Sequence, residues 1–545
     1  MKTLCVLLLG ILALCTASAA RITATPADYT GYLNGLVPGD TLYLTAGIYT
    51  EGLSLKGRSG TAEKPIVIMG VEGEYTTVLT ARSCCNTISI TLCQYLVIRN
   101  MKVDGLNLEV DAVKAEGTSG NWAHHITLEN LLIVNHGANQ QIVGISTKCS
   151  AWGWVIRRNT IIGAGTGLYL GNSNGEAPFV NGLIENNLVL NSLGYDMQIK
   201  HQLNTVRAAY PGTAVDSQVT IIRYNVMSKE SGASTGADAR PVLLLGAFPS
   251  AGFGENDRYE VYGNFFYENP VEAMLQVTGN TALYANVVVN HQAAAGYRTV
   301  YVTSQNGFQP RNIVVFHNTV LANAATGGIR LYGADPAYMQ ECTANAVFTG
   351  QPVSGFLPAN VNDNITDTYP LAVAYVQAPS STLSLLNLYP LPAALQGAAT
   401  GSARFAAFTD FDKDFNGRPY DWTYRGAYSG SGVNPGWKLQ LALREAPATT
   451  TGMQAIAPAN DFLGTVYPNP ASGHFALLLE LEHDADARIA LTDAAGRVRL
   501  ILHEGGLRKG MSTLTADAAG LERGFYLLTV RVKDRLMVRK LLLEK

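Results

Sequence analysis

The sequence predicts an all-β protein, a right-handed parallel β-helix followed by a small C-terminal β-sandwich. Three observations support this prediction. A short phrase centred on an Asn recurs through the middle of the chain. The 54 Gly and 26 Tyr residues, with many Asn, Thr and Val, indicate strands joined by tight turns. The pattern changes after a stretch rich in Ala, Thr and Pro that begins near residue 446.

Length and charge exclude several classes of protein. The chain has 545 residues, which is too long for one ordinary domain. A formal net charge of -3 and 15% charged residues give no basic surface for nucleic acid. Beyond the N-terminal segment, no stretch reaches the ~18 uninterrupted apolar residues of a spanning helix. We therefore expect neither a nucleic-acid partner nor a transmembrane helix.

The N-terminal segment, residues 1–19, has the pattern of a secretory signal peptide. Lys2 precedes an apolar run over residues 4–14, and Ala17-Ser18-Ala19 forms the cleavage site. Lipid attachment at Cys15 is the alternative, although Leu14 is a poor neighbour for it. We expect an exported protein.

Five cysteines follow the signal peptide, an odd number for an exported protein. We expect a disulfide from Cys84 or Cys85 to Cys93, with at least one thiol left free or paired between chains. No His and Cys grouping resembles a zinc site. The five are Cys84, Cys85, Cys93, Cys149 and Cys342.

The repeated phrase predicts a β-helix over residues 20–445. Its members lie about 22 to 39 residues apart, the range of one supersecondary unit per repeat. Asn tolerates the left-handed conformation at a coil corner, and stacked Asn amides can hydrogen-bond along the column. The phrase is centred on Asn100, Asn130, Asn159, Asn186, Asn225, Asn264, Asn286, Asn318 and Asn345.

A second strand follows the Asn strand in each repeat. Its alternation predicts one inward column and two outward columns. The outward side chains suit an extended polyhydroxylated ligand, but also a plain hydrated surface. The inward column is Ile145, Leu170, Ile199, Leu244, Val277, Val302 and Leu331; the outward columns are Ser146, Gly171, Lys200, Leu245, Thr278, Thr303 and Tyr332, and Gly144, Tyr169, Gln198, Leu243, Gln276, Tyr301 and Arg330.

The opening coils carry a family resemblance. LVPGDTLYLTAGIY followed by a KPIVI strand resembles the start of secreted β-helix proteins that include polysaccharide lyase family 6, with its alginate lyases and chondroitinase-B-like enzymes. The resemblance extends loosely over residues 25–430. It implies β-elimination on a uronic acid, in which a lysine removes the proton, an arginine assists and calcium neutralises the carboxylate.

The resemblance assigns the catalytic residues as expectations. Lys200 in QIKHQLN matches the family's lysine, and His201 adds a group that titrates near neutral pH. Arg223 and Arg240 are the candidates for the cation. The family's arginine phrase is replaced by LLLG, with Leu245 at the arginine, and its calcium-binding glutamates are replaced by Leu193 and Tyr195.

Further polar residues are candidates for binding the substrate. Asn172 and Asn174 could equally be turn residues, and His136 could be a corner residue, near Gln140. His124 and His125 are more typical of the start of a strand. The substrate-binding candidates are Tyr169, Asn172, Asn174, Glu176, Gln198, Gln276, Tyr301 and Arg330, with Asp196 on the strand of Lys200.

The phrase DFDKDFNGRPYDWTYRGAY resembles the closing segment of such helices. Asp412, Asp414, Asn416 and Gly417 match the first half of a calcium loop, but Thr423 stands where the bidentate Glu is needed. A turn closing the last coil is the alternative. Calcium stays an open cofactor, and no metal ligand is assigned.

The last part of the chain predicts a separate unit. Residues 446–460 form a linker, and the alternating short strands of residues 461–545 predict a small β-sandwich. Tyr467-Pro468-Asn469-Pro470, residues 493–497 and Gly524-Phe525-Tyr526 resemble the C-terminal sorting domain of type IX secretion cargo. The resemblance implies transport across the outer membrane by that machinery, to the medium or the cell surface.

Two functions follow from these expectations. The first is an extracellular lyase that cleaves a uronic-acid polysaccharide by β-elimination. The second is a non-catalytic surface protein that binds glycan through the same groove. Hydrolysis of the polygalacturonase type needs clustered aspartates, and the repeats contain no such phrase.

Overall fold

The computed structural model describes residues 19–444, except 74, 118–119, 231, 293–297 and 325, and residues 462–544, except 468–470, 482, 494–496 and 533–534. The chain divides into two compact units between Thr450 and Thr451. The predicted linker and the signal peptide up to residue 18 lie outside the described residues. The boundaries predicted from the sequence stay predictions.

One side of the first unit is a parallel sheet of eleven strands, here called the groove sheet. Its strands follow one another in chain order, and each pairs with the strand of the next coil. This is the stacking expected of a solenoid. The strands are Leu53–Lys56, Ile88–Thr91, Val113–Ala115, Val143–Thr147, Thr166–Leu170, Met197–Ile199, Leu243–Leu245, Leu275–Val277, Val300–Thr303, Ile329–Tyr332 and Val353–Ser354.

A bent sheet of 25 described strands forms the second and third sides of the coil. Two long strands, Cys93–Asp104 and Trp122–Val134, pair with each other and run along both sides. Each coil thus contributes parallel strands to the same sides, which makes a right-handed parallel β-helix, as predicted. The shorter strands are Arg21–Ala24, Thr41–Leu44, Ile66–Met69, Ser150–Trp152, Val155–Arg157, Phe179–Val180, Leu183–Glu185, Val219–Arg223, Arg258–Tyr262, Thr281–Tyr284, Ile313–Phe316, Gln340–Thr343 and Val361–Asn362 on the second side, and Gly47–Tyr49, Thr77–Thr80, Thr160–Ile162, Leu188–Leu190, Val226–Ser228, Phe265–Tyr267, Val287–Asn290, Thr319–Ala322, Ala346–Phe348 and Ile365–Asp367 on the third.

The interior of the coil is an apolar core. Alternate residues point inward from every side, so Met197, Ile184 and Val189 from three successive sides are all fully buried in one cluster. Burial of such side chains, at roughly 25 cal/mol per Å² of apolar surface, is the main force that stacks the coils.

A ladder of Asn side chains lies between the second and third sides. The Nδ2 atom of Asn225 donates to Oδ1 of Asn264 at 3.0 Å, and Nδ2 of Asn264 donates to Oδ1 of Asn286 at 3.0 Å. The same contact repeats from coil to coil, which confirms the predicted column of amides. The ladder contains Asn159, Asn187, Asn225, Asn264, Asn286, Asn318, Asn345 and Asn364.

Three of the predicted Asn positions lie outside this ladder. Asn187 belongs to the ladder, whereas Asn186 has a φ of 56° and donates to the carbonyl oxygen of Arg444. Asn100 and Asn130 also have positive φ, and they bond to each other at 2.9 Å. The left-handed corner and the amide ladder are therefore two adjacent positions, which the sequence pattern merged into one.

The segment after the last coil packs against the third side. Phe415 and Tyr428 share a second apolar core with Phe265 and Val287. The groove sheet contributes no residue to this second core among the described residues, so its outer face is left for polar side chains. The segment contains a hairpin of Val376–Ala378 and Asn387–Pro390. Helical turns in the first unit are Tyr29–Gly31, Asn204–Arg207, Gly236–Asp238, Pro358–Asn360, Tyr369–Ala374, Leu383–Leu385 and Ala403–Phe405.

The second unit is a small antiparallel β-sandwich. One sheet has three described strands and the other has four. Phe475 and Leu477 from the first sheet share a core with Ile489 and Leu528 from the second, as the predicted sandwich requires. The strands are Phe462–Tyr467, His474–Leu481 and Gly510–Asp517, and Ala485–Thr492, Val498–Leu507, Gly524–Val532 and Arg535–Leu543.

The cysteines differ from the expectation. Cys84 forms a disulfide with the adjacent Cys85, so the predicted link to Cys93 is wrong. Cys93, Cys149 and Cys342 are free thiols in buried positions. A search of the described residues found no helix with the length and apolar character to cross a membrane.

Candidate active site

The register of the groove sheet defines two outward rows. In the first row, Tyr169 pairs with Ser146 on one side and with Gln198 on the other. The second row follows two positions later along each strand. The first row is Ser146, Tyr169, Gln198, Leu244, Gln276, Tyr301 and Arg330; the second, by continuation of the register, is Lys148, Gly171, Lys200, Gly246, Thr278, Thr303 and Tyr332.

The predicted columns are wrong in two coils. Ser146, rather than Gly144, pairs with Tyr169, and Thr147 takes the inward place assigned to Ile145. Leu244 pairs with Gln198 and faces outward, whereas Leu243 and Leu245 lie in the core. The run Leu243-Leu244-Leu245 has no polar member to mark its outer face. Leu245 therefore does not occupy a groove position next to Lys200.

Two lysines from different coils contact one tyrosine ring. Nζ of Lys148 lies 2.9 Å from the centroid of the Tyr169 ring, and Nζ of Lys200 lies 5.6 Å from the same centroid. Gly171 stands between them in the second row. A Cβ added there would lie 3.2 Å from that of Lys200, and the φ of +88° disfavours a side chain. The missing side chain leaves space between the lysines.

Sequence reasoning missed Lys148. Counting the alternation from Ile145 put Ser146 in the row of Lys200. Counting from Thr147 would have placed Lys148 in that row. The correct register of one strand, Val143–Thr147, would therefore have been enough to find Lys148.

Burial shifts the titration of both lysines. It lowers the pKa of Lys148 to about 7, with help from the positive charges of Lys114 and Lys200 and against the opposing charge of Asp111. Burial also lowers the pKa of Lys200. A lysine with a pKa near neutrality has a large neutral fraction at physiological pH and can accept a proton.

The lysines line a cavity of about 280 Å³, here called the lysine cavity. Among its described lining residues there is no carboxylate. Calcium prefers six to eight oxygen ligands that include carboxylates, so this cavity, with its cationic residues, does not fit the calcium of the resembling family. Tyr195 stands where that family has a glutamate. The lining is Gln140, Gln141, Lys148, Thr166, Tyr169, Ser173, Tyr195, Gln198, Lys200 and Arg240.

Arg240 brings a guanidinium to the lysine cavity. Its Nη1 donates to the carbonyl oxygens of Ala237 and Ala239, and its Nη2 lies 3.4 Å from Oε1 of Gln140. In the described chain it forms no ion pair with a carboxylate. Its positive charge is therefore available to an anionic ligand.

The buried Lys229 helps to hold the segment that carries Arg240. Nζ of Lys229 donates to the carbonyl oxygens of Arg240 at 2.7 Å and Pro241 at 3.0 Å. Burial lowers the pKa of Lys229 and raises the pKa of Asp196, which lies next to Tyr195 in the opposite wall. Asp196 is fully buried and is not one of the residues that line the cavity.

The tyrosine hydroxyl is also placed for chemistry. Oη of Tyr169 lies 2.6 Å from Oγ of Ser173. Burial raises the pKa of Tyr169, so its hydroxyl stays protonated at neutral pH and can donate. Gln198, its neighbour in the first row, is almost fully buried in the floor of the cavity.

The structure separates two predicted catalytic residues from this cavity. Arg223 lies on the second side of the coil, where its guanidinium binds Glu185 and Asp410. Nδ1 of His201 lies 3.2 Å from Nδ2 of Asn306. Burial lowers the pKa of His201, with a smaller effect from the charge of Lys200. Neither residue lines the lysine cavity.

The predicted loop residues mainly contact one another. Oδ1 of Asn172 accepts the N–H of Ala177, as in a turn. Nδ2 of Asn174 donates to Oε2 of Glu176 at 2.6 Å. Asn172 and Glu176 line a second cavity beyond Lys148.

The other predicted binding residues lie on later strands of the groove sheet. Gln276, Tyr301 and Arg330 follow one another in the first row, beyond Leu244. They are half-buried and lie outside the lysine cavity.

The remaining histidines have structural contacts. His136 is fully buried, with Nδ1 2.9 Å from the carbonyl oxygen of Val110. His124 and His125 lie on the second side, with their Nδ1 atoms 2.7 Å apart. None of the three lines the lysine cavity.

The calcium-like loop forms a turn. The two carboxylate oxygens of Asp414 accept the N–H groups of Arg418 and Ser429. Asp412 pairs with Lys413, and Nδ2 of Asn416 donates to Asn434. No group of three or more possible metal-ligating His, Cys, Asp or Glu residues occurs in the part of the chain that the structure describes.

Comparison with known proteins identifies the second unit. Residues 465–544 match a family described as the secretion system C-terminal sorting domain. The second unit is a sorting domain. The protein is therefore type IX secretion cargo, released or displayed at the cell surface. A comparison with curated proteins found no match.

Solved structures similar to this chain include polysaccharide lyases. An alginate lyase from Paenibacillus is 18% identical, with a TM-score of 0.34, over 63% of this chain and 99% of the lyase. A mannuronic acid specific family 6 lyase from human gut microbiota is 12% identical, with a TM-score of 0.32, over 65% and 88%. Pectate lyase Pel9A is 11% identical, with a TM-score of 0.34, over 76% and 97%. Likenesses this distant identify neither a reaction nor a substrate.

One turn of the sorting domain is held by a carboxylate. Oδ2 of Asp493 accepts hydrogen bonds from Nε of Arg497 at 3.0 Å and Nε of Arg499 at 2.8 Å. Of the predicted motif that begins at Tyr467, residues 468–470 lie outside the described residues. Gly524 begins a strand of the four-stranded sheet.

Proposed function

We propose that the protein is an extracellular lyase that cleaves a uronic-acid polysaccharide by β-elimination in the lysine cavity. The observation that carries this proposal is the placement of Lys148, Tyr169, Lys200 and Arg240 around one cavity of about 280 Å³. Export supports it, because a polymer that cannot enter the cell must be cut outside.

The first role is removal of the proton next to the uronate carboxylate. Lys148 is the base in this proposal, because burial lowers its pKa to about 7 and it has the required neutral form. This differs from the role expected for Lys200. A well-matched general base contributes on the order of 10²- to 10⁴-fold to the rate.

The second role is stabilisation of the negative charge that develops on the carboxylate. Lys200 and Arg240 supply positive charge from two walls of the cavity, and Arg240 has no competing ion pair in the described chain. Preorganised charges in a site screened from water are usually the largest contribution to such a reaction.

The third role is protonation of the leaving oxygen. The C–H electrons form the new C4–C5 double bond, the C4–O bond breaks, and the oxygen receives a proton. Tyr169 donates this proton in the proposal, because burial raises its pKa and its hydroxyl lies at the cavity. Proton return from Lys148 to Tyr169 would restore both groups.

The test is incubation of the purified protein with alginate, polygalacturonate, dermatan and hyaluronan. The unsaturated uronate product absorbs in the ultraviolet, so its release can be followed directly. We expect product from at least one polymer, and a loss of at least about 100-fold in Lys148→Met. Binding of a polymer without product from any would refute the lyase and favour the non-catalytic glycan-binding protein.

A further inference from the structure

A second cavity of about 430 Å³ continues the groove beyond Lys148, and is here called the Tyr210 cavity. Lys148 lines both cavities, and Tyr210 lines the second one. A chain that occupies the lysine cavity can therefore continue past Lys148 towards Tyr210.

Tyr210 is the first ring of a row of aromatic side chains, here called the aromatic strip. Tyr210 stacks with Trp152 at 6.1 Å, and Trp152 stacks with His124 at 4.3 Å between ring centroids. All of the rings are half-buried. The strip consists of Tyr210, Trp152, Trp122, His124, His125 and Tyr95.

A purely structural role accounts for part of the strip but not for Trp122. Trp154, by contrast, is fully buried and its Nε1 donates to the carbonyl oxygen of Ala123 at 2.9 Å. The indole N–H of Trp122 has no acceptor within the described part of the chain, and its side chain is half-buried. Half-buried aromatic rings with a free donor are common where a surface binds a partner.

The strip is uncharged near neutral pH. Burial lowers the pKa of His124 to about 4, with a smaller effect from the charge of His125, and burial also lowers the pKa of His125. The strip therefore offers apolar ring surface and a donor, which suit the C–H faces and hydroxyl groups of sugars. The lysine cavity offers positive charge instead.

We infer that the aromatic strip binds sugar residues of the same polysaccharide chain, several positions away from the uronate in the lysine cavity. The inference rests on the proposed function for the identity of the ligand as a polysaccharide. The group that the strip would bind is the uncharged C–H face of a sugar residue. Continuity through the Tyr210 cavity joins this surface to the proposed site of cleavage.

The test measures binding separately from cleavage. The full chain carrying Lys148→Met is used as the background, and its retardation is measured in native gels that contain alginate, polygalacturonate, dermatan or hyaluronan. We expect Trp122→Ala to weaken binding of the retained polymer about tenfold and Trp122→Phe to weaken it less. Tyr43→Ala, a half-buried tyrosine on another strand, is the matched control and should bind like its parent.

A second measurement uses the unmodified protein, so its outcome does not depend on whether a variant folds. Bound polymer should protect Trp122 from oxidation by N-bromosuccinimide, while the buried Trp154 stays unreacted with or without polymer. Unchanged retardation of Trp122→Ala, or oxidation of Trp122 at the same rate with saturating polymer, would overturn the inference. Absence of product would refute the lyase alone, because retardation and protection do not depend on cleavage.

Discussion

Nζ of Lys148 lies 2.9 Å from the centroid of the Tyr169 ring, closer than Nζ of Lys200 at 5.6 Å. The two lysines come from coils on either side of the coil that carries the tyrosine. A lysine in its charged form gains roughly 0.5 to 2 kcal/mol near the face of an aromatic ring, which helps to hold the amine in place in that form. The tyrosine thus contacts both amines at the cavity, and its hydroxyl forms a hydrogen bond with Ser173.

The first prediction is a bell-shaped dependence of kcat/KM on pH. Lys148 acts in its neutral form, so activity should rise with pH and reach half of its maximum near pH 7, the pKa of Lys148. Lys200 acts in its charged form, so activity should fall at higher pH, where it loses its proton. Initial rates across pH with the best polymer measure both limbs.

The variant Lys200→Arg is the control for the upper limb. Arginine keeps its charge at all accessible pH values, so the fall at high pH should disappear while the rise near pH 7 stays. A rise that persists unchanged in Lys148→Met would show that another group is the base.

The second prediction concerns the hydroxyl of Tyr169. Tyr169→Phe keeps the ring that the two lysines contact and removes the proposed proton donor. We expect kcat to fall by about 10²-fold or more while polymer binding in native gels stays within about twofold. Ser173→Ala removes the partner of the hydroxyl and should have the smaller effect. Full activity of Tyr169→Phe would exclude Tyr169 as the donor.

The sequence predicted the β-helix because its strongest pattern, the repeated Asn, corresponds to a hydrogen-bonded contact between coils. The Asn of each repeat forms a buried ladder from Asn159 onward, and such a ladder requires one Asn per coil. The pattern did not distinguish Asn186 from Asn187, because neighbouring residues fill the corner and the ladder. That distinction depends on backbone φ, which composition does not report.

The site was predicted in part. Lys200, Tyr169, Gln198 and Arg240 do line one cavity. Lys148 was missed, because a shift of two residues in one strand keeps the alternation of inward and outward positions and changes only the neighbours. Arg223 was included because it lies in the repeat that follows Lys200, although the fold places it on another side of the coil.

The third prediction concerns the buried Lys229. Lys229→Met removes one donor to the carbonyl oxygen of Arg240, which keeps the donor of Asn269, and it removes the donor to the carbonyl oxygen of Pro241. A buried carbonyl oxygen left without a donor costs about 1–3 kcal/mol, and Asp196 loses a nearby positive charge, so thermal stability should fall. KM should rise because the Arg240 segment loses the two hydrogen bonds from Lys229.

The double variant Lys229→Met with Asp196→Asn separates the two effects. Removing both charges should recover part of the stability, since no buried charge is left without a partner. It should not recover KM, because the Arg240 segment still lacks the two hydrogen bonds from Lys229. A KM equal to that of the parent in both variants would mean that Lys229 stabilises the coil without positioning Arg240.

The last prediction tests the ladder at Asn264. Its Nδ2 donates to the carbonyl oxygen of Ile222 and to Asn286, and its Oδ1 accepts from the N–H of Asn225, all in buried positions. Asn264→Ala leaves several of these groups without partners, at about 1–3 kcal/mol for each. We expect a large fall in the melting temperature measured by calorimetry.

Asn323→Ala is the control: it removes an exposed Asn with one bond to His291 and should change stability by no more than about 0.5 kcal/mol. Equal melting temperatures for the two variants would mean that water replaces the ladder contacts, and the repeated Asn would then need another explanation than the buried bonds.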